Sequence, residues 1–85
     1  MYSIDITKNA FKEIAALPIK TKAQVSKAID GLQENPRPVG CKKLKGETDY
    51  LWRVRVGNYR IIYTIEDIIK VIEIRKVGHR KDIHE

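Results

Sequence analysis

Four arginines and two histidines hold most of the chemistry this sequence offers. Arg53, Arg55 and Arg60 fall within eight residues, and His79, Arg80 and His84 follow near the end of the chain. A guanidinium is always charged, and its planar fork of donors grips two oxygens of a phosphate at once. Histidine is the side chain best suited to moving a proton near neutral pH. Together they offer anion binding, a phosphate group above all, and proton transfer.

Such residues act only if the fold brings them together, and the hairpin around Gly57-Asn58 predicts that it does. Tyr50 to Val56 and Tyr59 to Ile65 read as two strands, and the two residues between them tolerate the positive φ of tight hairpin turns. With those two as the loop, paired positions sum to 115: Trp52 faces Tyr63, Val54 faces Ile61 and Val56 faces Tyr59. That apolar face is the predicted core. The other face then carries Arg53 beside Ile62, and Arg55 directly across from Arg60. Like charges about 5 to 6 Å apart repel by about 1 to 3 kcal/mol between bulk-water and surface dielectric values, and an anion between them turns repulsion into binding.

The rest of the chain supplies the scaffold. Tyr2 to Thr7 alternates as a short strand, and Thr7 is placed to cap a helix carrying Ala10, Phe11, Ile14, Ala15 and Leu17 as far as Pro18. Val25, Ala28, Ile29 and Leu32 form one apolar stripe along a second helix, Lys20 to Glu34, stopped by Pro36 and Pro38. Pro36 to Asp49 reads as a basic, irregular connector. A third strand of the C-terminal half, Ile69 to Val77, has apolar residues at both parities, predicting a central position, and Gly78 is expected to end it. The fold class is therefore α+β: a two-helix hairpin on one face of a mostly antiparallel sheet of about four strands.

Composition narrows the function classes. A chain of 85 residues, 42% hydrophobic and 33% charged, is expected to form one globular domain over residues 1–85. With no apolar stretch long enough for a span and no basic-then-apolar leader, a cytoplasmic protein is expected. Cys41 is the only cysteine, which excludes an internal disulfide and a cysteine-rich zinc site. The net charge of +6 is concentrated, with +1 on residues 1–35 and +5 on residues 36–85, where all six arginines lie. That excess favours a polyanionic partner such as nucleic acid or an acidic protein. The acids are scattered, so no two-metal carboxylate cluster can be drawn and neither a metal nor another cofactor is expected. Ser3, Ser26 and Cys41 have no histidine near them in sequence and make no nucleophile pair. Trp52, Tyr59 and Tyr63 are better read as core than as base-stacking platforms.

The run Lys42-Lys43-Leu44-Lys45-Gly46, the segment Leu51 to Tyr63 and the tail Val77-Gly78-His79-Arg80-Lys81-Asp82-Ile83 resemble the RelE branch of the RelE/ParE toxin superfamily essentially end to end. The resemblance implies a type II toxin held inactive by a cognate antitoxin, and an endoribonuclease that cleaves messenger RNA, in many members on the ribosome. Arg53 and Arg55 fall where such toxins often have strand lysines. Arg60 matches the arginine after the hairpin, and Arg80 matches the C-terminal arginine. His84 stands where many members have a tyrosine. The expected site is therefore Arg60 and Arg80 on the scissile phosphate, with His84, and His79 as second choice, for proton transfer. Arg53, Arg55, Lys43, Lys45 and Lys81 contact the RNA. Two other classes fit the same fold or charge: a ParE-type toxin that inhibits DNA gyrase without nuclease activity, and a noncatalytic nucleic-acid-binding module.

Overall fold

The structure is a computed structural model that describes residues 1–44 and 50–79. Its elements are β1 (Ser3–Ile6), α1 (Lys8–Ala15), α2 (Ile19–Glu34), β2 (Lys42–Lys43), β3 (Leu51–Val56), β4 (Tyr59–Glu66) and β5 (Val71–His79). The sheet order is β1-β5-β4-β3-β2. Only β1 is parallel to its neighbour, β5, as its long separation from β5 in the chain requires; the other pairings are antiparallel. The α+β class holds, with five strands in place of about four. The fifth is β2, a two-residue strand inside the stretch expected to be wholly irregular, where Lys42 pairs with Arg53 and Lys43 with Trp52. Two residues are too few to show alternation in a sequence.

Each helix forms for a local reason. Thr7 caps α1, its hydroxyl oxygen accepting from the Ala10 amide at 3.1 Å. Pro18 stands immediately before α2, where its missing N–H is no loss. Ala10 from α1 and Val25, Ile29 and Leu32 from α2 pack with Ile61, Tyr63, Ile72, Ile74 and Val77 of the sheet into one core. Phe11 departs from the expected stripe, being 65% exposed on the outer side of α1 while Ala10 and Ile14 turn inward. Among the described residues no helix is long and apolar enough to cross a membrane.

The hairpin register is the expected one at every position: Trp52 with Tyr63, Arg53 with Ile62, Val54 with Ile61, Arg55 with Arg60, Val56 with Tyr59. Gly57 has φ 59° and Asn58 does not share a positive φ, the φ signs of a type II′ turn. Strand β5 is central, between β1 and β4, but it begins at Val71 and runs through Gly78 to His79, past its expected end. Its apolar residues at both parities have a single cause. Between Tyr63–Ile74 and Ile62–Lys76 the register shifts, leaving Arg75 as an extra residue. The bulge inverts the alternation, so Ile72, Ile74 and Val77 all enter the same core.

Candidate nucleic-acid interface and catalytic face

Because residues directly opposite in adjacent strands share a face, the register alone sorts the basic side chains. Arg53 lies across from Ile62 on β4 and Lys42 on β2, and Ile62 lies across from Lys76 on β5. Two residue pairs further along, Arg55 lies across from Arg60, and Arg60 across from Gly78. Lys42, Arg53, Arg55, Arg60 and Lys76 therefore occupy one face, the one turned away from the helices. Two of them, Lys42 and Lys76, were not among the expected site residues. Lys42 sits in the two-residue strand, and Lys76 has the parity of Ile72 and Ile74 until the bulge moves it to the other side.

The face is unevenly exposed. Arg53 is only 5% exposed and Ile62 4%, whereas Arg55, Lys42 and Lys76 are exposed and Arg60 is half-buried. Beside them lies a cavity of about 440 Å³, lined by Leu44, Leu51, Ile62 and Lys76, with Thr7, Asn9 and Arg75 completing it. The arrangement is a buried guanidinium under a rim of exposed cations, next to an apolar hollow. In such surroundings a charge acts through a lower dielectric than in water and is felt more strongly by a neighbouring anion.

The other expected site residues are placed differently. His79 pairs with Tyr59, on the helix-facing side, and its ring meets the Tyr59 ring edge-on with centroids 5.4 Å apart. Sequence proximity put His79 beside the hairpin arginines; the bulge turns it to the opposite face from Arg60. Lys43 pairs with Trp52 and so shares the helix-side face at the sheet's edge. Lys45, Arg80, Lys81 and His84 lie outside the described residues. Among the described residues, no group of three or more His, Cys, Asp or Glu side chains is arranged to hold a metal.

One further described arginine serves elsewhere. Arg37, from the connector, makes a bidentate pair with Asp67 in the β4–β5 turn, at 3.2 and 2.9 Å, and stands 5.0 Å from the centre of the Trp52 ring. The Tyr2 hydroxyl donates to the same carboxylate at 2.7 Å. The Arg37 hydrogen bonds, followed by that from Tyr2, hold the Asp67 carboxyl below its usual range, and the bond to Asp67 raises Tyr2. The Tyr63 hydroxyl donates to the Pro36 carbonyl at 2.8 Å, and burial pushes that phenol up. These contacts fasten the connector to the sheet, and with it the segment that leads into β2.

Comparison with known proteins agrees with this geometry. The family described as the ParE toxin of type II toxin–antitoxin systems matches residues 4–84. The chain is 31% identical to the mRNA interferase toxin RelE of Escherichia coli, over 94% of this chain and 84% of that protein. It is 33% identical to the toxin RelG of Mycobacterium tuberculosis, over 98% and 95%. Among solved structures, the toxin of the RelE–RelB complex from Pyrococcus horikoshii superposes with a TM-score of 0.82 at 32% identity, covering 96% of this chain and 98% of that one. The fold, the hairpin arginines and these relatives place the chain in the RelE/ParE superfamily as a RelE-type toxin.

Proposed function

We propose that this chain is the toxin of a type II toxin–antitoxin pair and an endoribonuclease that cleaves messenger RNA, with a cognate antitoxin as its protein partner. The observation that carries the reading is Arg55 directly opposite Arg60 with three further cations on the same face. Like charges in cross-strand contact concentrate positive potential at one spot, and a phosphate bound there is attracted by both. The E. coli relative named as an mRNA interferase supports RNA as that anion, and the RelE–RelB complex supports the antitoxin.

In the proposed reaction the 2′-oxygen of a ribose attacks the adjacent phosphorus, its proton passing to a base, while the bond to the 5′-oxygen breaks and that oxygen takes up a proton. The products are a 2′,3′-cyclic phosphate and a 5′-hydroxyl end. Arg60 and Arg80 hold the phosphate and stabilise the phosphorane charge. Arg55, with Lys42 and Lys76 beside it, aligns the flanking backbone; Arg53, beneath that rim, contributes positive potential from a buried position. His84 carries the proton. His79, on the opposite face from Arg60, has the weaker claim to that role. The reaction as written needs no metal. We further propose that the message is cut during translation, on the ribosome.

The matched family is described as the ParE toxin, and a ParE-type gyrase inhibitor is the alternative that the sequence left open, so the deciding experiment reads both activities. The purified chain is added to a translating extract and messenger ends are mapped, with a parallel assay of gyrase-dependent DNA breaks. New 3′ ends within translated messages support the nuclease. DNA breaks without messenger cleavage support the gyrase reading, and neither product leaves a nucleic-acid-binding module.

A further inference from the structure

Strand β1 ends at Ile6, paired with Ile74, so the second half of β5 runs on without a strand on that side. It is the half that brings Gly78 across from Arg60. Helix α1 takes over where β1 stops. The Thr7 amide donates to the Ile74 carbonyl at 3.0 Å, the Thr7 hydroxyl reaches the Arg75 carbonyl at 3.4 Å, and Glu13 Oε1 accepts from the Val77 amide at 3.0 Å. The bulge at Arg75 lies between the first and the last of these anchors, at Ile74 and Val77. Glu13 is half-buried and borders, with Ala16, Leu17, Tyr59, Lys76 and His79, a cleft between α1 and the end of β5.

We infer that Glu13 is a positioning residue for the cleavage reaction: its carboxylate takes the place of a strand partner for β5 beyond the bulge and so fixes Gly78 and His79 against Arg60 and Tyr59. The inference rests on the nuclease reading of the arginine face. A bulged strand has a locally broken ladder and extra twist, so its direction past the bulge depends on whatever satisfies the next amide. In β5 that amide is Val77, and its acceptor is a side chain 64 residues away in the sequence. Strand β5 leads directly into Arg80, so an error in its direction is passed to the residue proposed to share the phosphate with Arg60. A misplacement of about 1 Å is enough to cost a reaction on the order of 100-fold.

Glu13→Gln keeps an oxygen that accepts the Val77 amide and loses the charge; Glu13→Ala loses the acceptor. Both variants are checked for folding by circular dichroism and melting, then assayed for messenger cleavage in translation extract below the lower of the two melting transitions. Amide exchange at Val77 and Gly78 is read by nuclear magnetic resonance on the same proteins. The expected result is that Glu13→Gln keeps kcat within about threefold of the unsubstituted chain, while Glu13→Ala lowers kcat by about 10- to 100-fold at nearly unchanged KM and loses protection at Val77. Unchanged kcat in Glu13→Ala overturns the inference, as does an equal loss in both variants. If the unsubstituted chain makes no cuts, the nuclease reading fails, and amide protection still reports whether Glu13 holds the strand end.

Discussion

Arg60 on β4 stands directly across from Arg55 on β3, on the face of the sheet that the helices do not cover. Their Cβ atoms are cross-strand neighbours at about 4.5 to 5.5 Å, close enough for the two charges to destabilise the hairpin. Removing one should therefore help the fold and harm the function. Arg55→Gln is expected to raise stability by a few tenths to about 1 kcal/mol in chemical denaturation at low salt, and to slow messenger cleavage. An oligonucleotide that is not cut should raise the melting temperature of the unsubstituted chain more than that of the variant, because binding to the native state alone stabilises it.

Arg53, three residues before the turn and on the same face as Arg55, predicts the opposite stability effect. It is 5% exposed against an exposed Arg55, so its stem packs as well as its charge acts. Arg53→Ala is expected to cost about 1 to 3 kcal/mol in urea unfolding, whereas Arg55→Ala costs nothing. Equal midpoints for the two alanine variants would contradict the difference in burial.

The Arg37, Asp67 and Tyr2 cluster sets a pH dependence at both ends. The folded Asp67 carboxyl titrates below its unfolded value, so its contribution is present above the ordinary carboxylate range and disappears as pH falls through the lowered value. Tyr2 titrates above its unfolded value, so its contribution is present at neutral pH and disappears as pH rises through the raised value. The melting-temperature gap between the unsubstituted chain and Asp67→Asn should be largest near neutrality and close in acid. A gap that is constant from pH 7 to below 3 would contradict the ion pair.

Tyr63 carries a buried ring and one directed hydrogen bond, from its hydroxyl to the Pro36 carbonyl. Tyr63→Phe keeps the ring and leaves that part-buried acceptor unmatched, for an expected loss of about 0.5 to 1.5 kcal/mol by denaturant titration. Tyr63→Ala, which also opens a cavity, should cost about 3 to 5 kcal/mol.

Much of this was legible in the sequence because two short-range rules sufficed. Gly57-Asn58 pins the hairpin register, and that register puts Arg55 opposite Arg60 and Arg53 opposite Ile62 without further information. The stripe of Val25, Ile29 and Leu32 likewise identifies the buried side of α2. What failed in β5 depended on one inserted residue. Arg75 breaks the alternation of β5, and no local signal distinguishes a bulge from a strand with two apolar faces. That shift brings Lys76 to the arginine face and sends His79 to Tyr59. The pairing of Lys42 with Arg53 was hidden as well, since β2 is too short to be seen as a strand.

The central claim is that Arg60 lies at the reacting phosphate. The direct measurement is the single-turnover rate of messenger cleavage in a translating extract for the unsubstituted chain and for Arg60→Ala, with mapped ends and a folding check on each. The account predicts new 2′,3′-cyclic phosphate ends with the unsubstituted chain and a rate about 100- to 1,000-fold lower for a folded Arg60→Ala. A folded Arg60→Ala that cuts at the same sites and the same rate would contradict it.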